Sequence, residues 1–398
     1  MTMRLGSANA YDNSLAKLTS HQAGLSELQE KLTAGKRVLR PSDDPTGAAQ
    51  AERAMTRISR IEVEQRALNV QKNSMAMAES TLGNATETLQ SIRDLVVSAG
   101  NAGYTSVNRT SIAQQISALR DQLFGYANKV DSNGVPLFGG LGSASSPFTD
   151  AATGVTFNGV AGQNASSTVA IPSAMDGQAV WMNVPSGNGV FDVSLGGGNT
   201  GTVWTDAGQV VNPSAVTGDN YAVTFNVVAG VTTYDVVNTT TAATVATGQP
   251  YTSGQNIQFG GMAIRVQGVP ANGDTVAVAP STTTNVFKVI DKAIAGINNA
   301  NNSNTLSQAF TKALAELDTG MNRIQSARGL AGDMLNRADS IDSNQQTKSN
   351  QLETDRSRAE DMDMIKGISD FQNQQTGYDA ALKTYAQVQR LSLFNYLG

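Results

Sequence analysis

The sequence predicts an α+β multidomain protein, with long N- and C-terminal helices paired in a coiled-coil-like bundle and a central all-β insert domain. Three observations carry this. Apolar residues recur every seven positions in both end regions, the stripe of helices that pack on helices. The middle, residues 131–284, has no Lys, no Glu, one Arg (Arg265) and eight Asp. It also falls into short alternating runs between Gly, Pro, Asn and Asp, as strands and turns do. Two similar ends around a different middle are expected to fold together and carry the middle as an insert.

The first element is an amphipathic helix over about 12–35. Leu15, Leu18, Leu25 and Leu32 stand at heptad spacing with Leu28 beside them, and Gly35 ends the helix as a C-cap. In GKRVLRPSDDPTG (35–47), Pro41 and Pro45 forbid a continuous helix. Asp44 then serves as N-cap and Pro45 as first helical residue. Capping and turn chemistry explain Asp43 and Asp44 better than metal binding, since no further carboxylate or His lies nearby. Residues 46–99 give the strongest stripe: Ala54, Ile61, Leu68, Met75, Leu82, Leu89 and Val96, without a gap. The companion positions Arg57, Glu64, Gln71, Ala78, Ala85 and Ile92 are apolar only in their second half, so the seam widens toward the C-terminal end. Such a stripe is stable only against other helices. A third helix over about 108–130 interleaves Ile112, Leu119 and Tyr126 with Ile116, Leu123 and Val130.

Strands are predicted at 154–160, 179–184, 189–195, 220–228, 232–237, 262–268 and 274–279, in a sandwich-like or barrel-like insert. Trp181 and Trp204 fall in it and read as core or rim packing. Helices then return: a short one marked by Val286, Val289, Ile290, Ile294 and Ile297, a linker at 298–304, and a long one with Phe310, Leu317, Ile324, Ala331 and Ala338 spaced by seven. The last helix is expected over about 345–393, its later seam formed by Ile368, Phe371, Tyr378, Leu382 and Tyr385. Leu391, Leu393, Phe394, Tyr396 and Leu397 make an apolar end. The expected division is 1–45 and 346–398 as terminal helical segments, 46–135 and 285–345 as the bundle, and 136–284 as the insert.

Composition narrows the function. The 1–130 block carries a net +3, the middle −7 and the tail −1, so no block offers a nucleic-acid surface. Cysteine is absent, which excludes thiolate chemistry, disulfides and Cys-ligated zinc. The lack of Cys also suits a chain exported unfolded. The start MTMRLGSANAYDNSLAKL has no continuous apolar region, so no cleaved leader is expected, and no window is apolar enough for membrane insertion. His21 is the only histidine, in a helical segment without a nucleophile turn; it reads as solvated or interfacial. The scattered Asp residues of the middle fit turn chemistry, and no calcium-loop pattern occurs. No catalytic residue, cofactor or metal site is expected.

The start MRLGSANAYDN, the segment LQEKLTAGKRVLRPSDDPTGAAQA (28–51), the run LQSIRDLVVSAGNAGY (89–104) and the ending QVQRLSLFNYL (387–397) together resemble the flagellin superfamily, on the side of its hook-associated proteins. The run GMAIRVQGVPANGDTVAVAPS (261–281) is similar to a β-domain segment of flagellar hook-associated proteins. The resemblance implies export through the flagellar type III apparatus and a secreted, structural role at the hook–filament junction. There, copies of the chain form a ring between hook-associated protein 1 and flagellin. It implies that the terminal segments form an inner tube, that the β insert points outward, and that an export chaperone binds the last helix, about 360–397. Flagellins usually end in a Leu-Leu-Arg-like motif; this chain ends SLFNYLG, which favours a junction role over a filament role. The expected assembly and chaperone interface is Leu15, Leu18, Leu25, Leu32, Phe371, Tyr378, Tyr385, Leu391, Leu393, Phe394, Tyr396 and Leu397. The alternatives are a flagellin that forms the filament itself and a secreted glycan-binding module on a helical stalk.

Overall fold

The computed structural model describes residues 7–394 except 102, 143–144 and 300–302. Six α-helices frame it: α1 (Ser7–Ala34), α2 (Pro45–Ala99), α3 (Ser106–Ala127), α4 (Val286–Asn299), α5 (Ser303–Glu360) and α6 (Met364–Phe394). The chain divides into two units, one made of residues up to 66 with residues from 342 onward, the other of residues 67–341.

In the second unit the heptad stripes meet in one core. Leu68, Met75, Leu82, Leu89 and Val96 of α2 are buried with Leu317, Ile324, Ala331 and Ala338 of α5, and Ile116, Leu123, Phe287 and Ile290 complete it from α3 and α4. Full burial of one such Leu or Ile is worth about 1.5–3 kcal/mol, so the seam dominates the helices' stability. Ion pairs fix the antiparallel register: Arg93–Asp318 and Arg328–Glu79, both at 2.7 Å, and Lys72 with Asp339. Arg120 of α3 is buried between Asp150 and Asp291 and lies over the Phe287 ring. Removing either carboxylate leaves the buried guanidinium paired with the other, since Arg120 is bonded to both.

The strands are β1 (Phe148–Ala151), β2 (Gly154–Phe157), β3 (Val184–Pro185), β4 (Phe191–Leu195), β5 (Trp204–Thr205), β6 (Gln209–Val210), β7 (Tyr221–Val228), β8 (Val231–Asn238), β9 (Ala243–Pro250), β10 (Asn256–Phe259), β11 (Met262–Gln267), β12 (Thr275–Pro280) and β13 (Thr283–Thr284). A five-stranded sheet, β4-β12-β7-β8-β9, and a four-stranded sheet of β10, β11, β5 and β6 enclose a second core of Phe191, Val223, Phe225, Val236, Ile264 and Val276. This is a sandwich in which buried and less buried residues alternate along β7, whereas the first three residues of β11 are all buried. Polar contacts seat it on α5: Lys312 pairs with Asp192 at 2.7 Å, and Gln308 Oε1 accepts from the Thr205 N–H at 2.7 Å.

The middle of the chain therefore serves two cores. Phe138, Phe148, Ile171, Met175, Trp181 and Val184 pack with the helices, whereas the sandwich core begins at Phe191. The strand expected at 179–184 is instead a π-helical turn, Gln178–Met182. Its Val180 and Trp181 are consecutive and both buried, which an alternating strand does not allow. Trp181 meets Phe138 edge-on at 5.5 Å and stacks on Phe287 at 6.0 Å, and Asp176 Oδ1 accepts from the Ala179 N–H at the start of the turn. The strand expected over 154–160 stops at Phe157. The last helix starts at Met364, not near 345, because nothing between 338 and 360 interrupts α5.

Candidate assembly surface

The unit that holds both ends of the described chain contains the GKR…PSDDP segment and the α1–α6 pair. Gly35 closes α1 at φ +69°, a left-handed conformation that glycine takes freely. The N–H groups of Arg37 and Val38 donate to the Glu360 carbonyl at 2.8 and 3.2 Å, and the Met362 N–H donates to the Gly35 carbonyl at 3.0 Å. The break between α1 and α2 is thus hydrogen-bonded to the break between α5 and α6. Asp43 Oδ2 accepts from the N–H groups of Leu39 and Arg40, which lowers its pKa. Asp44 Oδ1 accepts from the N–H groups of Thr46 and Gly47 at 3.1 and 3.0 Å, capping α2, while Arg37 holds Oδ2 at 3.1 Å. The Gly47 N–H, then the Thr46 hydroxyl and Arg37, bring the Asp44 carboxyl down to about 2. The same guanidinium donates to the Ala359 carbonyl at 2.7 Å. Gly47 is glycine for lack of room: a Cβ there would stand 2.6 Å from Asp44 Oδ2 and 3.0 Å from the Ala359 carbonyl. Asp363 caps α6 through the N–H groups of Ile365 and Lys366. Both aspartates of the PSDDP segment thus act as turn and cap residues.

Helices α1 and α6 run antiparallel, with Leu32 beside Gly367 and Gly24 beside Gln374. Gly367 lets them approach: a Cβ there would lie 3.0 Å from Leu32 Cδ2. Leu18 is buried in this pair, Leu25, Leu32, Phe371, Tyr378 and Tyr385 are half-buried, and Leu15 is 46% exposed. Leu391, Leu393 and Phe394 fall in the last turns of α6, where only the backbone is described, and Tyr396 and Leu397 lie outside the described residues. His21 is half-buried on α1. Apolar residues of α6 remain open: Ile365 is 85% exposed with Met364 and Ile368 exposed beside it, and Leu382 is exposed about 25 Å further along the helix. Sequence reading missed Met364 and Ile365 as part of this surface, although the MDMIKGI run places both beside the seam residue Ile368. It also missed Val38, a buried residue inside the Pro-flanked loop, and Met55, which is exposed on α2. Among the described residues no group of acidic or histidine side chains could hold a metal ion, and no helix is long and apolar enough to cross a membrane.

The arrangement matches known proteins at both ends. The bacterial flagellin N-terminal helical region matches residues 7–143, and the bacterial flagellin C-terminal helical region matches residues 314–397, together more than half of the chain. The chain belongs to the flagellin family. Within that family it is similar to flagellar hook-associated protein 3 of Salmonella typhimurium, 35% identical over 155 residues that cover 38% of this chain and 48% of that protein. The Escherichia coli protein of the same description aligns over 98% of this chain and 99% of its own length at 24% identity. The crystal structure of the flagellar junction protein FlgL from Legionella pneumophila superposes with a TM-score of 0.68 at 29% identity, covering 73% of this chain and 99% of that one. The flagellin-family helices are thus the elements that build the α1–α6 pair and the long α2–α5 seam.

Proposed function

We propose that this chain is a structural junction protein of the bacterial flagellum. It joins the hook, through hook-associated protein 1, to the flagellin filament by packing of its terminal helices. The observation that carries this reading is the α1–α6 pair of a flagellin-family chain, whose apolar face is only partly covered from within. Exposed Ile365, Ile368 and Leu382 cost free energy in water and gain it when neighbouring subunits cover them. Residues 1–45 and 346–398 form the axial layer, 46–135 and 285–345 the bundle around it, and 136–284 the outward part. Copies of the chain form a ring. Before assembly the chain is secreted by the flagellar export route, with a chaperone on the last helix. Leu15, Leu18, Leu25, Leu32, Phe371, Tyr378 and Tyr385 form the interface together with the apolar end.

Polymerisation of the purified chain tests the reading. Alone it should form short oligomers and no long filaments, and with flagellin present it should join the end of a growing polymer. Electron microscopy reads the outcome. Long filaments from this chain alone would transfer it to the filament role.

A further inference from the structure

Four side chains along one side of α5 meet the sandwich. Asn304, Gln308, Lys312 and Glu316 follow one another at intervals of four, so they form a ladder about 18 Å long on the helix. Each makes a polar contact. Asn304 Nδ2 donates to the Gly201 carbonyl at 3.4 Å, and Gln308 Oε1 accepts from the Thr205 N–H at 2.7 Å. Lys312 pairs with Asp192 at 2.7 Å, and Glu316 Oε1 accepts from the Gly187 N–H at 3.4 Å. The ladder starts at the neck of the insert. Gly187 directly follows Ser186, whose N–H donates to the Thr282 carbonyl, and one step further along α5 a Cβ on Gly320 would touch Val184. The apolar cores on either side are separate: Val184 belongs to the helical one and Phe191 to that of the sandwich. Docking also carries a cost. Glu316 is 1% exposed, yet its contacts with Gly187 and Lys292 are both 3.4 Å long. Asp192 Oδ1 is buried with no hydrogen-bond partner among the described residues. Buried carboxylate oxygens lose hydration that long or missing contacts do not restore.

We infer that the sandwich is a releasable arm, latched along α5 by Asn304, Gln308, Lys312 and Glu316 and free to swing as one body about the β3–β13 neck. Polar contacts hold the latch and rehydration of Glu316 and Asp192 opposes it, so docked and released states lie close in free energy. Gly187, where the chain crosses into the sandwich, has φ +62°, a left-handed conformation that glycine leaves and re-enters freely. Salt screens the Lys312–Asp192 pair and shifts the balance toward release. The released arm uncovers the α5 face from 304 to 316. The latch is a property of the isolated chain and holds whichever place the chain takes in the flagellum.

The chain has no cysteine, so two introduced ones carry dyes at chosen positions. Full-length chain labelled at Val228→Cys on β7 and Val107→Cys on α3, both exposed, reports the arm's position by single-molecule energy transfer. A second pair within the sandwich, Val228→Cys with Val211→Cys, reports whether the sandwich itself stays folded. Two transfer values should appear for the first pair, docked and released. Lys312→Ala leaves the Asp192 charge uncompensated and Gln308→Ala leaves the Thr205 N–H unpaired; each should raise the released-to-docked ratio about fivefold, and more in combination. Raising salt from about 0.1 M to about 1 M should move the ratio the same way. Lys348→Ala, an equal charge change at an exposed site further along α5, should leave the ratio unchanged, and the Val211–Val228 value should stay constant throughout. A ratio that Lys312→Ala and Gln308→Ala leave unmoved, an equal effect of Lys348→Ala, or a changed Val211–Val228 value each overturns the inference.

Discussion

Asp44 shows how one side chain organises the turn that joins the two terminal segments. Its carboxylate satisfies two free N–H groups of α2 and holds Arg37, whose other nitrogen reaches the Ala359 carbonyl at the end of α5. The folded carboxyl titrates near 2, below its ordinary value of 3.8. A group depressed on folding stabilises the fold fully above the unfolded value and loses that contribution as pH falls through the folded one. The window is therefore about pH 4 down to about pH 2. Asp44→Asn keeps a capping oxygen but loses the charge that holds Arg37. Protease cleavage within residues 35–47 should be faster in the variant above pH 4, and the two chains should converge near pH 2 when followed with an acid-active protease. A difference that is the same at both pH values would show that charge plays no part.

At the scale of the element, the α2 seam sorts its residues by depth. Leu82 is fully buried on α2, whereas Leu15 of α1 is half open to solvent. Leu82→Ala should destabilise by about 3 kcal/mol, because it removes apolar contacts and leaves a cavity in a close-packed seam. Leu15→Ala should change the isolated chain by less than about 0.5 kcal/mol. Urea unfolding of the purified protein measures both, and a large loss for Leu15→Ala would mean that α1 is covered within the chain. The same contrast explains what was legible in the sequence. Ile61, Leu68, Met75, Leu82, Leu89 and Val96 could be read because one helix face repeats and all of it is buried. Strand β9 could not: its Ala, Thr and Gly residues are almost all exposed, so no alternation marks it. The turn at Gln178–Met182 mimicked a strand through its β-prone Val and Trp, and only tertiary packing on Phe138 and Phe287 decides its shape. At the assembly surface, the heptad Leu residues and the Asp44 cap were visible. The exposure of Ile365 was not, since it depends on which α6 face meets α1.

At the scale of the whole molecule, the sandwich leaves and re-enters the helical core through one narrow neck. Strands β3 and β13 pair antiparallel there, Val184 with Thr284 and Pro185 with Thr283. The Ser186 N–H donates to the Thr282 carbonyl at 2.8 Å, so the two ends of the insert are hydrogen-bonded neighbours. Replacing residues 187–281 with Asn-Gly, the pair favoured in two-residue hairpin turns, should close the neck without moving either strand. The excision breaks the Lys312–Asp192 pair and removes the Gly187 N–H from Glu316, while Lys292 stays 3.4 Å from Glu316. It leaves Phe138, Phe148, Met175, Trp181 and Val184 in the helical core. A deletion of 140–280 instead removes Phe148, Ile171, Met175 and Trp181 from that core, at about 3 kcal/mol for each large side chain, against a usual total stability of 5–15 kcal/mol. The shorter excision should therefore unfold cooperatively in urea, keep the near-ultraviolet signal of Trp181 and still join flagellin ends. The longer one should lose fixed tertiary structure. Equal tolerance of both deletions would show that residues 137–184 contribute nothing to the helical core, and loss of structure in both would show that the helices depend on the sandwich they carry.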